Sequence, residues 1–167
     1  SLREAIRMLA ALGVLDTRHG SGSYVSELHA ADLIKGLSLT VGLLPLGSII
    51  ELYELRRALE SHAASLAAAR VDAETVAELE ALLTELESVT DEERQSELDH
   101  QFHMRISEVA GNDALSNLLD VLRARSRAYR IFTTDDAAEI KILSDAGHRQ
   151  ILRGLESKDP VAASSAA

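Results

Sequence analysis

Apolar residues recur at three- and four-residue spacing along almost the whole chain, and this periodicity is what most restricts its fold. A run with a period near 3.6 puts its apolar side chains on one stripe of a helix and cannot alternate across a strand. Leu2, Ala5, Ile6, Leu9, Ala10 and Leu12 make the first such stripe. It stops at Gly13, a residue suited to the left-handed position that ends a helix. Only two prolines interrupt 167 residues, and alanine and leucine are abundant, so a mainly all-α fold is expected. With 46% hydrophobic and 26% charged residues the chain can bury a real core, which excludes a disordered chain and a small staple-dependent scaffold. The absence of cysteine excludes a disulfide framework, a Cys-ligated zinc finger and a cysteine nucleophile, and is compatible with a reducing compartment.

One segment departs from the helical period. Val14–Thr17 and Ser23–Val25 are β-prone runs on either side of Arg18-His19-Gly20-Ser21-Gly22, which predicts a hairpin. Residues 1–27 are therefore expected as helix plus hairpin, and residues 28–167 as an antiparallel helical bundle. A helix at about 29–42 is followed by the break Leu44-Pro45-Leu46-Gly47. Ser48 then caps a long helix with Ile50, Tyr53, Leu55, Leu59, Ala63, Leu66 and Ala67 as its stripe. Asp72 caps the next, which buries Val76, Leu79, Leu82, Leu83 and Leu86. Asp91 opens a third, carrying Leu98, Phe102, Ile106 and Val109 up to Gly111. Asn112 or Asp113 starts a fourth with Leu115, Leu118, Leu119, Leu122 and Tyr129. Asp135 or Asp136 starts a fifth with Ile140, Leu143, Ile151, Leu152 and Leu155, and Asp159-Pro160 starts a last one.

The net charge of −10 argues against wholesale nucleic-acid binding, but it is unevenly spread. Residues 1–27 hold three basic and three acidic residues, which leaves 14 basic and 24 acidic residues in 28–167. All the excess negative charge belongs to the second part. The longest uncharged apolar stretch, Gly36–Ile50, is broken by glycine and proline and is shorter than the roughly 20 residues a bilayer crossing takes, so no membrane span is expected. Ser1 leads directly into an amphipathic helix without an initiator Met or a basic-then-apolar leader, and a natural start further upstream is expected.

Three groups of residues can carry chemistry. Asp99 and His103 are four apart on one helix, so a carboxylate oxygen and an imidazole nitrogen project from the same face and can converge on a metal ion. From spacing alone a surface ion pair accounts for them as well, but the register of Leu98, Phe102 and Ile106 turns the pair toward the bundle interior. His148 shares a helix with Leu143, Ile151 and Leu152 and also projects inward or to the edge of that stripe. One carboxylate and two imidazoles suit zinc, nickel or manganese better than calcium or magnesium. His100 points elsewhere and is expected in solvent, and His62 is expected to be structural. In Glu54-Leu55-Arg56-Arg57-Ala58-Leu59-Glu60 the two arginines lie about 100° apart, so one can face inward and grip a ligand carboxylate while the other meets water. An ion pair with Glu54 or Glu60 explains the same pattern. Finally, Arg3 on the short helix and the hairpin tip at Arg18–Gly22 place cations and backbone amides where a winged helix meets DNA.

Leu2-Arg3-Glu4-Ala5-Ile6-Arg7-x-Leu9-x-x-x-Gly13-Val14-Leu15, running on to His19-Gly20-Ser21-Gly22-Ser23-Tyr24-Val25, resembles the second half of the winged helix-turn-helix of GntR-type bacterial transcription regulators. Glu54-x-Arg56-x-x-Leu59-Glu60, Asp99-x-x-Phe102-His103, Gly111-Asn112 and His148-x-x-Ile151-Leu152 resemble the helical effector-binding domain of the FadR branch of that family, the FCD type. The resemblance implies that Arg3 lies in the recognition helix and contacts DNA, with His19 and Gly20 at the tip of the wing. It further implies Asp99, His103 and His148 as metal ligands, and Arg56 and Asn112 as effector contacts. Against the family pattern, the first two DNA-binding helices are absent, and a final ligand histidine would fall beyond Ala167.

The resulting expectation is a cytoplasmic, homodimeric regulator that binds operator DNA through residues 1–27 and a small carboxylate through a divalent metal in residues 28–167. The opposing class is a metal-dependent hydrolase-like enzyme in which Asp99, His103 and His148 hold a water-activating ion. No further glutamate or histidine is marked by position as its general base, so a non-enzyme is expected. A helical bundle with incidental polar residues is the third reading.

Overall fold

A computed structural model of the chain describes residues 1–27, 34, 37, 41, 44–128 and 137–167. The expected helix at 29–42 falls almost wholly outside the described residues, as do Tyr129 and the Asp135 or Asp136 cap. Among the described residues there are seven α-helices and one two-stranded sheet: α1 (Leu2–Ala11), β1 (Leu15–Arg18), β2 (Gly22–Val25), α2 (Ile49–Ala68), α3 (Ala73–Ser88), α4 (Glu92–Val109), α5 (Asp113–Ala128), α6 (Ala137–Glu156) and α7 (Pro160–Ala166).

The lead-in forms as its sequence predicts. Helix α1 ends where Gly13 takes a φ of 73°, and its amide donates to Ala10 O while that of Val14 reaches back to Leu9 O at 2.8 Å, so two end carbonyls of the helix are satisfied. Strands β1 and β2 pair antiparallel in the register Leu15–Val25 to Arg18–Gly22. None of the residues of α1 is buried.

The remaining helices pack as a bundle around α2, which touches α4, α5, α6 and α7. Alanines at 63, 64, 67 and 68 give α2 a smooth buried face, so its neighbours approach closely. Leu79, Leu83 and Leu86 of α3, Leu98, Phe102 and Ile106 of α4, and Ile151, Leu152 and Leu155 of α6 close the main core, while Ala63, Ala110, Leu115 and Leu119 form a smaller cluster. Helices α6 and α7 cross so tightly that a Cβ on Gly154 would lie 2.5 Å from the backbone nitrogen of Ala163. Three of the expected caps are made by side chains: Asp72 accepts from Thr75 N, Asp91 from Arg94 N, and Asp159 from Val161 N and Ala162 N.

Ser48 does not act as a side-chain cap. It is the last residue of a 3₁₀ turn, Leu46–Ser48, that runs straight into α2. Three expected stripe residues of the bundle also lie outside its core: Ile50 and Leu55 on α2 and Leu143 on α6 are 68%, 46% and 66% exposed. Periodicity correctly gives the facing side of a helix, but a stripe is buried only where a neighbouring element covers it.

Candidate functional site

The α4 face that carries Leu98, Phe102 and Ile106 into the core brings Asp99 and His103 to its edge, opposite His148 on α6. His148 Nε2 lies 3.2 Å from Asp99 Oδ1 and 3.1 Å from His103 Nε2, and His103 Nε2 lies 3.8 Å from Asp99 Oδ1. Phe102 meets both imidazoles edge-on, so an apolar ring backs the polar cluster. Four donors placed about 2.1 Å from a tetrahedral ion are separated by about 3.4 Å, close to these three distances. The donor chemistry fits as well. Burial, reinforced by the charge of Arg123, pushes His103 well below the usual imidazole range, which leaves a neutral ring. Burial alone would raise the Asp99 carboxyl, but the hydrogen bond from His148 and the charge of Arg123 outweigh it and hold Asp99 well below the usual carboxylate range. A neutral His103, an ionised Asp99 and the His148 imidazole beside them form a nitrogen–oxygen donor set that fits a divalent first-row ion.

Two more residues belong to this cluster: Arg123, which the sequence reading did not name, and Glu60, which it named only as an ion-pair partner for the arginines of α2 and within the motif around Arg56. Arg123 of α5 is 2% exposed, and its guanidinium donates to Asp99 Oδ2 at 2.6 Å and, with its other amino group, to Glu60 Oε1 on α2. Glu60 is 8% exposed, and the same Oε1 also faces Arg56 Nε at 3.2 Å. Its second oxygen faces His103 Nδ1 at 3.9 Å. The signal was present in register: Glu60 precedes Ala63, Ala64 and Ala67 on one helical face, and Arg123 follows Leu115 and Leu119 on another. Charges on an apolar face are retained when they are paired, and these are.

Arg56 reaches the margin of this cluster, between Glu60 and the Tyr53 ring, 4.7 Å from its centroid. Asn112 is not brought to it. Asn112 is exposed and caps α5 by accepting from Leu115 N, which is a structural task at the end of a helix. His100 is also placed differently from expectation: it is largely buried, with Nε2 3.5 Å from Asp120 Oδ1 on α5. His62 is exposed. The void beside the cluster, lined by Glu60, His103, Ile106, Leu119, Ile151 and Ala167, measures about 10 Å³, room for about one water molecule. A larger open groove of about 650 Å³ lies between α3 and α4, but Glu78, Glu85, Glu97 and Glu108 rim it, a poor setting for a carboxylate.

At the other end of the chain, Arg3, Arg7 and His19 are exposed, and Gly20 is at the turn between the two strands. Arg18 pairs with Asp16 at 3.1 Å and stacks over Tyr24, 5.4 Å from its centroid, so the hairpin tip is held by its own side chains.

Residues 51–167 match the FCD domain family. The chain is 28% identical over 121 residues to the HTH-type transcriptional regulator LutR of Bacillus subtilis strain 168, an alignment that takes in 72% of this chain and 55% of that protein. It therefore spans little more than half the length of this curated relative. Among solved structures, the Streptococcus agalactiae GntR superposes with a TM-score of 0.67 at 29% identity, covering 99% of this chain and 75% of that one. The Escherichia coli McbR/YncC superposes at 0.66 with 20% identity over 98% and 76% of the two chains, and shares the fold.

Proposed function

The chain belongs to the FCD domain family, and on that premise we propose that it serves a ligand-responsive, DNA-binding transcriptional regulator of the GntR type and its FadR branch. Residues 28–167 are the effector-binding and dimerisation domain, and residues 1–27 are part of a winged-helix DNA-binding domain whose helix presents Arg3 and whose wing presents His19 and Gly20. The protein works as a cytoplasmic homodimer on operator DNA arranged as an inverted repeat.

The observation that carries the reading is the convergence of Asp99 Oδ1, His103 Nε2 and His148 Nε2 inside a domain of this family. Asp99, His103 and His148 would hold a divalent zinc, nickel or manganese ion, which supplies a Lewis-acid anchor for the carboxylate of a small metabolite. Arg56, at the margin of the same cluster, is the cation placed to pair with that carboxylate. Binding of metabolite and of operator is then coupled through the bundle, and each changes the affinity for the other by the same factor.

The test uses the full-length protein and an inverted-repeat DNA selected from a random pool. A specific complex is expected, with an affinity that a carboxylate metabolite shifts in the presence of metal and fails to shift in chelator. A response to metabolite that survives chelation would overturn the metal-mediated mechanism, and failure to select any DNA would overturn the regulator. In parallel, thermal melts should show a metal-dependent gain in stability that His103→Ala removes and His100→Ala keeps.

A further inference from the structure

We propose that Glu60 is the positioning residue of His103: its free oxygen keeps the His103 proton on Nδ1, so that His103 Nε2 is ready for an ion while His148 must change tautomer to receive one. This deepens the metal-binding reading and rests on it. The two histidines look equivalent in sequence, but their outer nitrogens have different surroundings. His103 Nδ1 faces Glu60 Oε2 at 3.9 Å, a charge–dipole distance longer than a direct hydrogen bond. A carboxylate there favours the N–H form of the nitrogen it faces. Asp99 Oδ1 stands at a similar 3.8 Å from His103 Nε2, but that oxygen has His148 Nε2 closer, at 3.2 Å, as its donor. Glu60 Oε1 is occupied by Arg123 and Arg56, which fixes how the carboxylate is turned and leaves Oε2 for the imidazole. His148 Nδ1 is fully buried with no hydrogen-bond partner among the described residues.

The contact between the rings follows from this difference. Two Nε2 atoms at 3.1 Å need one hydrogen between them. With the His103 proton on Nδ1, that hydrogen belongs to His148 Nε2, which also lies 3.2 Å from Asp99 Oδ1 and can be shared between the two acceptors. His148 Nδ1 is then a bare lone pair, and a lone pair buried without a partner is tolerated better than a buried N–H without an acceptor. In the metal-free protein one hydrogen thus sits among the three donor atoms where an ion would otherwise sit. To ligate through Nε2, His148 must move its hydrogen to Nδ1, which has no acceptor among the described residues. His103 needs no such change. The two ligands are therefore unequal, with His103 preset and His148 carrying the penalty.

Glu60→Gln tests this with little change of shape. Arg123 and Arg56 require an acceptor and would hold the amide oxygen in place of Oε1, turning the amide N–H₂ toward His103 Nδ1. That donor favours the opposite tautomer. Histidine tautomers are read from two-bond ¹H–¹⁵N correlations of the ¹⁵N-labelled chain, first in excess chelator and then with zinc. The parent in chelator is expected to show His103 as the Nδ1–H form and His148 as the Nε2–H form, and zinc should move only His148 to Nδ1–H. Glu60→Gln is expected to turn His103 to Nε2–H and to weaken zinc binding about tenfold or more, the range seen when outer partners of ligand histidines are removed. A parent His103 found as Nε2–H in chelator would overturn the assignment without any variant, so a Glu60→Gln protein that does not fold still leaves a decisive result. Unchanged zinc affinity in a folded Glu60→Gln protein would overturn it too. Zinc that leaves every parent histidine signal in place would instead overturn the metal-binding reading, and the chelated tautomer of His103 would report on Glu60 separately.

Discussion

Residues 1–27 and the bundle of α2 to α7 both follow the helical and hairpin grammar of their sequence, yet they treat polar groups in opposite ways. In the lead-in, α1 buries nothing and Arg3, Arg7 and His19 all face solvent. In the bundle, Arg123, Glu60 and His148 are taken into the interior beside Phe102 and Ile106. An exposed cation gains little from any one neighbour and remains free for a partner of opposite charge. A buried one is committed, because its desolvation must be offset by fixed partners. The first arrangement suits recognition of a large charged surface such as DNA, and the second suits a small site whose contents are set from within.

The contrast is most easily broken at Arg123. Arg123→Met keeps the length of the side chain but leaves Asp99 and Glu60 without their shared partner, and is expected to cost about 3–5 kcal/mol in urea unfolding. A loss below about 0.5 kcal/mol, as for an ordinary surface change, would mean that the internal charges are not structural. Next comes the crossing of α6 and α7. Gly154→Ala forces a methyl group against the Ala163 backbone and should cost about 1–3 kcal/mol by the same measurement. A smaller loss, about 1 kcal/mol, is expected for Asp159→Ala, which frees the amides of Val161 and Ala162 at the start of α7. At the far end of the scale is Arg3→Ala, which should leave stability within about 0.5 kcal/mol of the parent while lowering affinity for a selected operator about tenfold in gel-shift titration at fixed salt. An Arg3→Ala protein that binds as tightly as the parent would remove α1 from the DNA interface.

Much of this arrangement was legible in the sequence because it rests on local rules. Asp72, Asp91 and Asp159 stand one residue before their helices and cap them, and Gly13 ends α1 in the left-handed conformation. Asp99, His103 and His148 could be placed together because Leu98, Phe102, Ile151 and Leu152 fix the register of their helices. What escaped depends on contacts between helices. Leu143 and Leu152 belong to the same expected stripe, yet one is exposed and the other buried, since only part of α6 is covered by neighbours. Glu60 and Arg123 lie 63 residues apart in sequence on different helices, and the ion pair that allows each to be buried appears only when those helices meet. Asn112 looked like a ligand contact by resemblance, but its amide oxygen is used at the start of α5.

The one-water void beside His103 has a consequence for rates. On the proposed reading, a metabolite of several atoms would not fit a space of about 10 Å³, and its binding beside His103 would require the surrounding helices to move apart. If only a small fraction of molecules is open at any moment, the apparent affinity falls by that fraction. Association would then be slowed roughly in proportion to the open population. At high metabolite concentration the observed rate should level off at the rate of opening. The bundle would then act as a slow filter, following sustained changes in metabolite supply and passing over brief ones.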